Sequence, residues 1–341
     1  MKNHVLLVVI VFGMFWGAPA IAADYDRGLA AFGKGDYATA LKEWKPLAEQ
    51  GNFLAQYGLG EMYGLGLGVP QNYKLAVKWY TLAAEKGNFL AQYTLGEMYG
   101  LGRGVPQDYK LAVKWYTLAA ELGFAHAQNN LGSMYSSGKG VPQDYKLAVK
   151  WFTLAAEQGN VWAQSNLGVI YFEGKGVPQD FTQGVKWFTL AAEQGHTHAQ
   201  NSLGAAFSLG KGVPQDYEQA VKWYKLAAEQ GDAQAQYNLG MIYYNGDGVT
   251  QDAKQAFKWH TAASEQGIAE AQIYLGWMYA EGQGVLQDNT RAHMWYNIAA
   301  SSGYALAVQN RDNIAKRMTA ADISKAQTLA RECVKKDYKG C

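Results

Sequence analysis

AQYTLGEMYGLGRGVPQDYKLAVKW, residues 91–115, recurs along the chain with a step of 36 residues. Its opening alanine returns at Ala55, Ala91, Ala127, Ala163, Ala199, Ala235 and Ala271, and its closing tryptophan at Trp79, Trp115, Trp151, Trp187, Trp223, Trp259 and Trp295. Seven copies therefore run from Ala55 to Leu306. A fixed step of this size means one supersecondary unit stacked on itself, because a single copy cannot bury its apolar face alone. An all-α solenoid with a long binding surface is the expected architecture.

Within the copy that starts at Ala91, residues Ala91, Leu95, Met98, Tyr99 and Gly102 fall at i, i+4, i+7, i+8 and i+11, the stripe of a first helix, helix A. Gly96 lies inside it at a cost of about 1 kcal/mol against alanine. A glycine there in every copy predicts a close backbone approach. The turn Gly102-Arg103-Gly104-Val105-Pro106 supplies residues that accept positive φ and a proline that stops the helix. Asp108 then caps helix B, whose Tyr109, Ala112, Trp115, Tyr116 and Ala119 again repeat at three- and four-residue steps, and Gly123 ends it. A phosphate-loop reading fails because no Gly-Lys-Ser/Thr follows the glycines and the turn occurs in every copy. Thr250 and Leu286 replace the proline in the last two copies and predict softer turns there.

The two ends differ from the copies. Lys2, the apolar run Val5 to Trp16 and Ala20-Ile21-Ala22 read as an export signal over residues 1–22, cleaved after Ala22. The run is too short for a membrane-crossing helix, which takes roughly 20 residues. Residues 23–54 are expected to form N-terminal capping helices, Asp24 to Phe32 and then Tyr37, Ala40, Leu41, Trp44 and Leu47. The repeats occupy 55–306. Residues 307–341 are expected to close the C-terminal end, with a degenerate helix A from near Tyr304 and a last helix capped at Thr319 and running to about Val334. Export would let the only two cysteines, Cys333 and Cys341, form a disulfide that clips the tail. Two thiolates alone make a poor metal site.

Composition excludes some classes. The chain carries 30 basic and 29 acidic groups, and charged residues make up 17% of it. Signal removal leaves 29 of each. A non-specific nucleic-acid binder needs a clustered basic excess that is missing here.

The 36-residue period, the Leu-Gly of helix A, the Gly-x-Gly-Val-Pro turn and the Ala-x-x-Trp of helix B resemble the Sel1-like repeat family, α/α solenoids related to tetratricopeptide repeats. The resemblance covers nearly all of the mature chain. It implies a right-handed superhelix and adaptor work: holding other proteins or peptides in cell-envelope assembly, signalling or host contact. Cysteine-rich relatives carry a disulfide in each repeat and are linked to β-lactam binding; this chain has no cysteine in its repeats.

Comparison of copies separates positions that hold the fold from positions free to vary. One residue off the packing stripe lies a second one, Leu54, Gly58, Glu61 and Leu65 in the first copy and Leu90, Thr94, Glu97 and Leu101 in the second. Helix A lines the concave side of related solenoids, so this variable stripe is the expected groove. Its candidate partner-binding residues are His126, Asn130, Ser133, Trp162, Asn166, Val169, Glu173, His198, Asn238, Tyr274 and Trp277. Tryptophan anchors partners, and the recurring asparagines suit a peptide backbone or terminal carboxylate. The competing reading is that the tryptophans fill gaps and the asparagines are solvated. Lysines before the helix-B tryptophans, from Lys78 to Lys258, are balanced by Glu85 to Glu265 and read as a solvated convex face.

No nucleophile, base and donor converge in the pattern, and no metal-ligand spacing occurs. His196 and His198 stand two residues apart and face different ways; His260 replaces the tyrosine or phenylalanine of other copies; His293 stands alone. The expectation is a non-catalytic, exported scaffold without cofactor or metal, periplasmic or secreted. Its partner is a protein or peptide, with no nucleic acid and no integral membrane segment, and the chain itself is a monomer. The alternative is an envelope enzyme or small-ligand binder acting on peptidoglycan or β-lactams. A third possibility, docking on a membrane sensor, is an adaptor role with a membrane partner.

Overall fold

The computed structural model describes residues 19–341, with side chains from Tyr25 onward, so the expected export signal falls almost wholly outside the described residues. Among the described residues the chain is all-α, eighteen helices and no strand. No described helix is long and apolar enough to cross a membrane. The helices form an α/α solenoid that divides into two compact units at Trp151 and Phe152.

The first unit holds α1 (Pro19–Gly33), α2 (Tyr37–Glu49), α3 (Phe53–Leu65), α4 (Tyr73–Glu85), α5 (Phe89–Leu101), α6 (Tyr109–Glu121) and α7 (Ala125–Ser137), and ends within α8 (Tyr145–Glu157). The second continues with α9 (Val161–Glu173), α10 (Phe181–Glu193), α11 (Thr197–Leu209), α12 (Tyr217–Glu229), α13 (Ala233–Asn245), α14 (Ala253–Ser264), α15 (Ala269–Glu281) and α16 (Asn289–Ser301). It closes with α17 (Ala305–Ala315) and α18 (Ala320–Lys335). From α3 to α16 the odd helices are helix A and the even ones helix B of successive copies.

Local chemistry sets each boundary. Asp108 accepts backbone N–H bonds from Lys110 and Leu111 and starts α6; Asp180, Asp216, Asp252 and Asp288 cap their helices in the same way. Helix A is capped by Asn52, Asn88, Asn160 and Asp232. Phe124 and Ile268 hold the same position without a side-chain cap. Gly102 and Gly104 take φ of 70° and 74°, and a Cβ on Gly104 would meet the Tyr73 backbone at 2.6 Å. Only glycine seats the turn against the previous repeat. Without proline the turns at Thr250 and Leu286 keep the same closure: Asp252 and Asp288 N–H donate to Tyr243 and Tyr279 at 2.9 Å, as Asp108 does to Tyr99. The softer turn expected there is not visible in this geometry, because the paired glycines and the aspartate cap, both kept in these two copies, already define it.

Packing explains the remaining constancy. The helix-A glycine lies directly on the ring of its own helix B: a Cβ at Gly60, Gly96, Gly168 or Gly204 would stand 2.4–2.7 Å from Tyr80, Tyr116, Phe188 or Tyr224. Next to it Leu59, Leu95, Leu131, Leu167, Leu203, Leu239 and Leu275 are fully buried, each worth about 1.5–3 kcal/mol of transfer free energy. The glutamine of the Ala-Gln motif is buried as well. In every copy its side-chain N–H donates to a carbonyl near the end of the preceding helix, from Gln56 to Ala48 through Gln272 to Ser264.

At the C-terminal end Thr319 caps α18, which packs on α16. Cys333 and Cys341 are joined by a disulfide. Tyr338 packs against the core around Trp295, and the Gly340 N–H donates to Glu265 at 3.0 Å.

Candidate functional site

The variable stripe lies on helix A, whose backbone is fixed by the buried leucine, glutamine and glycine behind it. In the first unit α3 and α5 present i, i+4 pairs: Tyr57 donates to Glu61 and Tyr93 donates to Glu97, each at 3.0 Å. Burial pushes the Glu61 carboxyl up to about 6, although the Tyr57 hydrogen bond pulls it down. Burial, helped by these carboxylates, also pushes up the phenols of Tyr57, Tyr80, Tyr93 and Tyr116. The Asn130 amide lies beside the Tyr93 and Tyr116 phenols and offsets part of their rise, and it accepts from Asn129 at 3.2 Å. His126 is half-buried between Tyr93 and Phe124, at ring distances of 6.2 and 5.3 Å. Ser133 is exposed, its hydroxyl donating to the Asn129 carbonyl.

In the second unit Trp162 is 50% exposed, whereas the helix-B indoles of Trp259 and Trp295 are 8% and 1% exposed. Asn166 is half-buried, and Val169 packs against the core around Phe188. Glu173 pairs with Lys175 at 2.8 Å. His198 is exposed, with Nδ1 at 3.4 Å from the Ser165 hydroxyl. Asn238 accepts from Gln234 and donates to Asn201, and its amide offsets part of the burial-driven rise of the Tyr224 phenol.

Tyr274 and Trp277 belong to an aromatic cluster. Tyr274 stacks on His260 at 5.1 Å and 7° and lies 6.1 and 5.9 Å from Tyr237 and Tyr244. Trp277 meets Tyr244 edge-on at 5.3 Å. Trp277 is partly buried against the core around Trp295, as the gap-filling reading expects. His260 is itself fully buried with neither ring nitrogen bonded, and burial lowers it to about 4.

These positions offer partly exposed rings, amides and carboxylates with their backbone held rigid. Among the described residues no three His, Cys, Asp or Glu side chains converge as metal ligands. His196 caps α11 by accepting from Ala199 N–H, and its ring lies 6.4 Å from that of His198 at 76°. On helix B, Lys78, Lys114, Lys222 and Lys258 fold over the adjacent indoles at 4.8–5.8 Å.

Reading the stripe as single positions missed its neighbours. Tyr57, Tyr93 and Tyr237 stand one residue before stripe positions and vary among copies as Asn129, Ser165, Asn201 and Ile273 do. Tyr244 occupies a site that is Gly64, Gly100, Ser136 or Ala280 elsewhere. That variability was the available signal.

The Sel1 repeat model matches residues 54–88, 90–124, 125–160, 163–196, 197–232, 233–268 and 269–304. Among solved structures, a Sel1 repeat protein from Oxalobacter formigenes is 37% identical, with 85% of this chain and 86% of that one covered and a TM-score of 0.67. The Escherichia coli protein c5321, a protective antigen of uropathogenic strains displaying an SLR fold, is 31% identical over 93% of this chain and 85% of that one, with a TM-score of 0.50. Among curated proteins none matches. With seven matched repeats spanning most of its length, the chain belongs to the Sel1 repeat family.

Proposed function

We propose that the chain is a non-catalytic, exported scaffold that binds a protein or peptide along the helix-A stripe, in the periplasm, and serves envelope assembly, signalling or host contact. Sel1 repeat proteins are generally protein-interaction scaffolds. One observation carries the reading for this chain. Behind helix A the alanine, glutamine, leucine and glycine are the same in every copy, while the stripe in front changes from copy to copy and retains partly exposed rings and amides. A surface held rigid and varied residue by residue suits one extended ligand. The protective-antigen character of c5321 supports an exported location when carried over to this chain.

The test is an envelope pull-down with the chain from residue 23, run beside a variant carrying Trp162→Ala, Asn166→Ala and Trp277→Ala. Partners lost only by the variant are the expected result. Recovery of the same partners by both would refute the stripe as the binding surface. Fractionation of cells expressing the full chain tests location, with a processed periplasmic form expected and an unprocessed cytoplasmic one contrary.

A further inference from the structure

The seven helix-A segments carry five charged residues, Glu61, Glu97, Glu173, Glu270 and Glu281, and no lysine or arginine. Within the repeats the lysines are carried by helix B and the turns, so a nearly neutral chain has a one-signed stripe. Glu173 is already neutralised by Lys175. Glu270 and Glu281, both on α15, make no ion pair among the described residues; Glu270 only accepts the Tyr304 hydroxyl, at 2.6 Å.

Between those two carboxylates the same helix face carries Tyr274 and Trp277, giving Glu270, Tyr274, Trp277 and Glu281 at i, i+4, i+7 and i+11. Tyr244, from the last turn of α13, stands 5.9 Å from Tyr274 and 5.3 Å from Trp277. His260, buried beneath Tyr274 with its ring nearly parallel, fixes the tyrosine's plane. Elsewhere the protein covers its own rings with its own cations: in this unit Lys222 lies over Trp223, Lys258 over Trp259 and Arg291 over Tyr279, at 4.8–5.5 Å. Among the described residues no cation covers Tyr244, Tyr274 or Trp277. An electron-rich set of rings flanked by unpaired carboxylates attracts a cation, and a guanidinium can both stack on the ring and bond the carboxylate.

We infer that the face of α15 formed by Tyr274, Trp277 and Glu281, with Tyr244 beside it, receives an arginine or lysine side chain from an extended basic segment of the partner. This rests on the stripe being the binding surface and adds the partner's charge. Electrostatic complementarity of this kind sets partner choice and association rate.

The probe is an array of nine-residue peptides whose arginine content runs from zero to three, screened against the chain from residue 23. Retention is expected to rise with arginine number and fall with salt. The tightest peptide should weaken about tenfold when its arginines become citrulline, and about fivefold for the Glu281→Gln and Tyr244→Leu variants. Glu281 is exposed, so its variant leaves the core intact; circular dichroism checks folding of both. Equal binding of citrulline peptides, or unchanged affinity in both variants, overturns the inference. If arginine-free peptides bind and the binding is lost on Trp162→Ala or Asn238→Ala, the basic partner is wrong while the stripe reading stands. If no peptide binds in a stripe-dependent way, both fall.

Discussion

Alanine at Gly96 and alanine at Gly100 should shift stability in opposite directions, although both glycines lie in α5 one turn apart. Inside a helix alanine is favoured over glycine by about 1 kcal/mol, and propensity alone predicts that both changes stabilise. The structure separates them. A Cβ at Gly96 would stand 2.5 Å from both Cδ1 and Cε1 of Tyr116, where carbon atoms prefer roughly 3.5–4.0 Å. The ring would have to retreat by about 1 Å, yet it is buried on all sides within the repeat core. Overpacking of this kind costs about 1–3 kcal/mol, and with two ring atoms in the way the upper end applies. The net loss for Gly96→Ala is then about 2 kcal/mol. A Cβ at Gly100 meets only the Ala112 Cβ, at 3.8 Å, an ordinary contact, so Gly100→Ala should gain about 0.5–1 kcal/mol. Urea denaturation followed by circular dichroism measures the pair. Amide exchange in α5 and α6 localises the effect, because repeat arrays need not unfold in one step. Equal or stabilising effects from both substitutions would refute the close-approach account.

Three further outcomes follow from differences among copies. Gln194, Gln230 and Gln266 at the ends of helix B donate to Gln164, Gln200 and Gln236 at 2.7–2.8 Å, but Leu122 holds the equivalent place and leaves Gln92 Oε1 buried and unbonded. Leu122 is exposed and its backbone matches that of Gln194, so Leu122→Gln should add about 1 kcal/mol in urea denaturation and Leu122→Asn, one methylene too short, should not. His260 falls from 6.5 to about 4 in the folded chain, so its neutral form is the stable one and stability should drop as pH falls from 6.5 towards 4, by up to about 3 kcal/mol. His260→Phe, the ring used at Phe152 and Phe188, should remove that drop between the two pH values in paired melts. Opening the Cys333–Cys341 bridge by double serine substitution should cost at most about 2.5 kcal/mol for so short a loop, seen as faster amide exchange in α18 with α3 to α7 unchanged.

Where one residue type meets one local task, the sequence was readable. The 36-residue step, the aspartate caps, the paired glycines and the glycine inside helix A all answer to constraints within a few residues or within one helix pair. The role of Gln56 and its equivalents was not readable, though the motif named them, because their acceptors lie on the preceding helix. Nor could the stripe's asparagines be assigned. Asn130 and Asn238 lie beside tyrosines of helix B and offset part of the rise of those phenols, a neighbourhood set by packing between elements. The return of the tail to Glu265, across 75 residues, left no mark in any local pattern. The Tyr244, Tyr274 and Trp277 cluster needed two neighbouring copies to be superposed in space before it became one site.

The partner should lie on helix A and not on helix B. A photo-crosslinking amino acid placed at Trp162 or Asn238 on the stripe, and in parallel at the exposed Leu154 or Leu190 of helix B, reads this in cells expressing the full chain. The account predicts a discrete adduct from the two stripe positions and none from helix B. Adducts confined to Leu154 or Leu190 would contradict it.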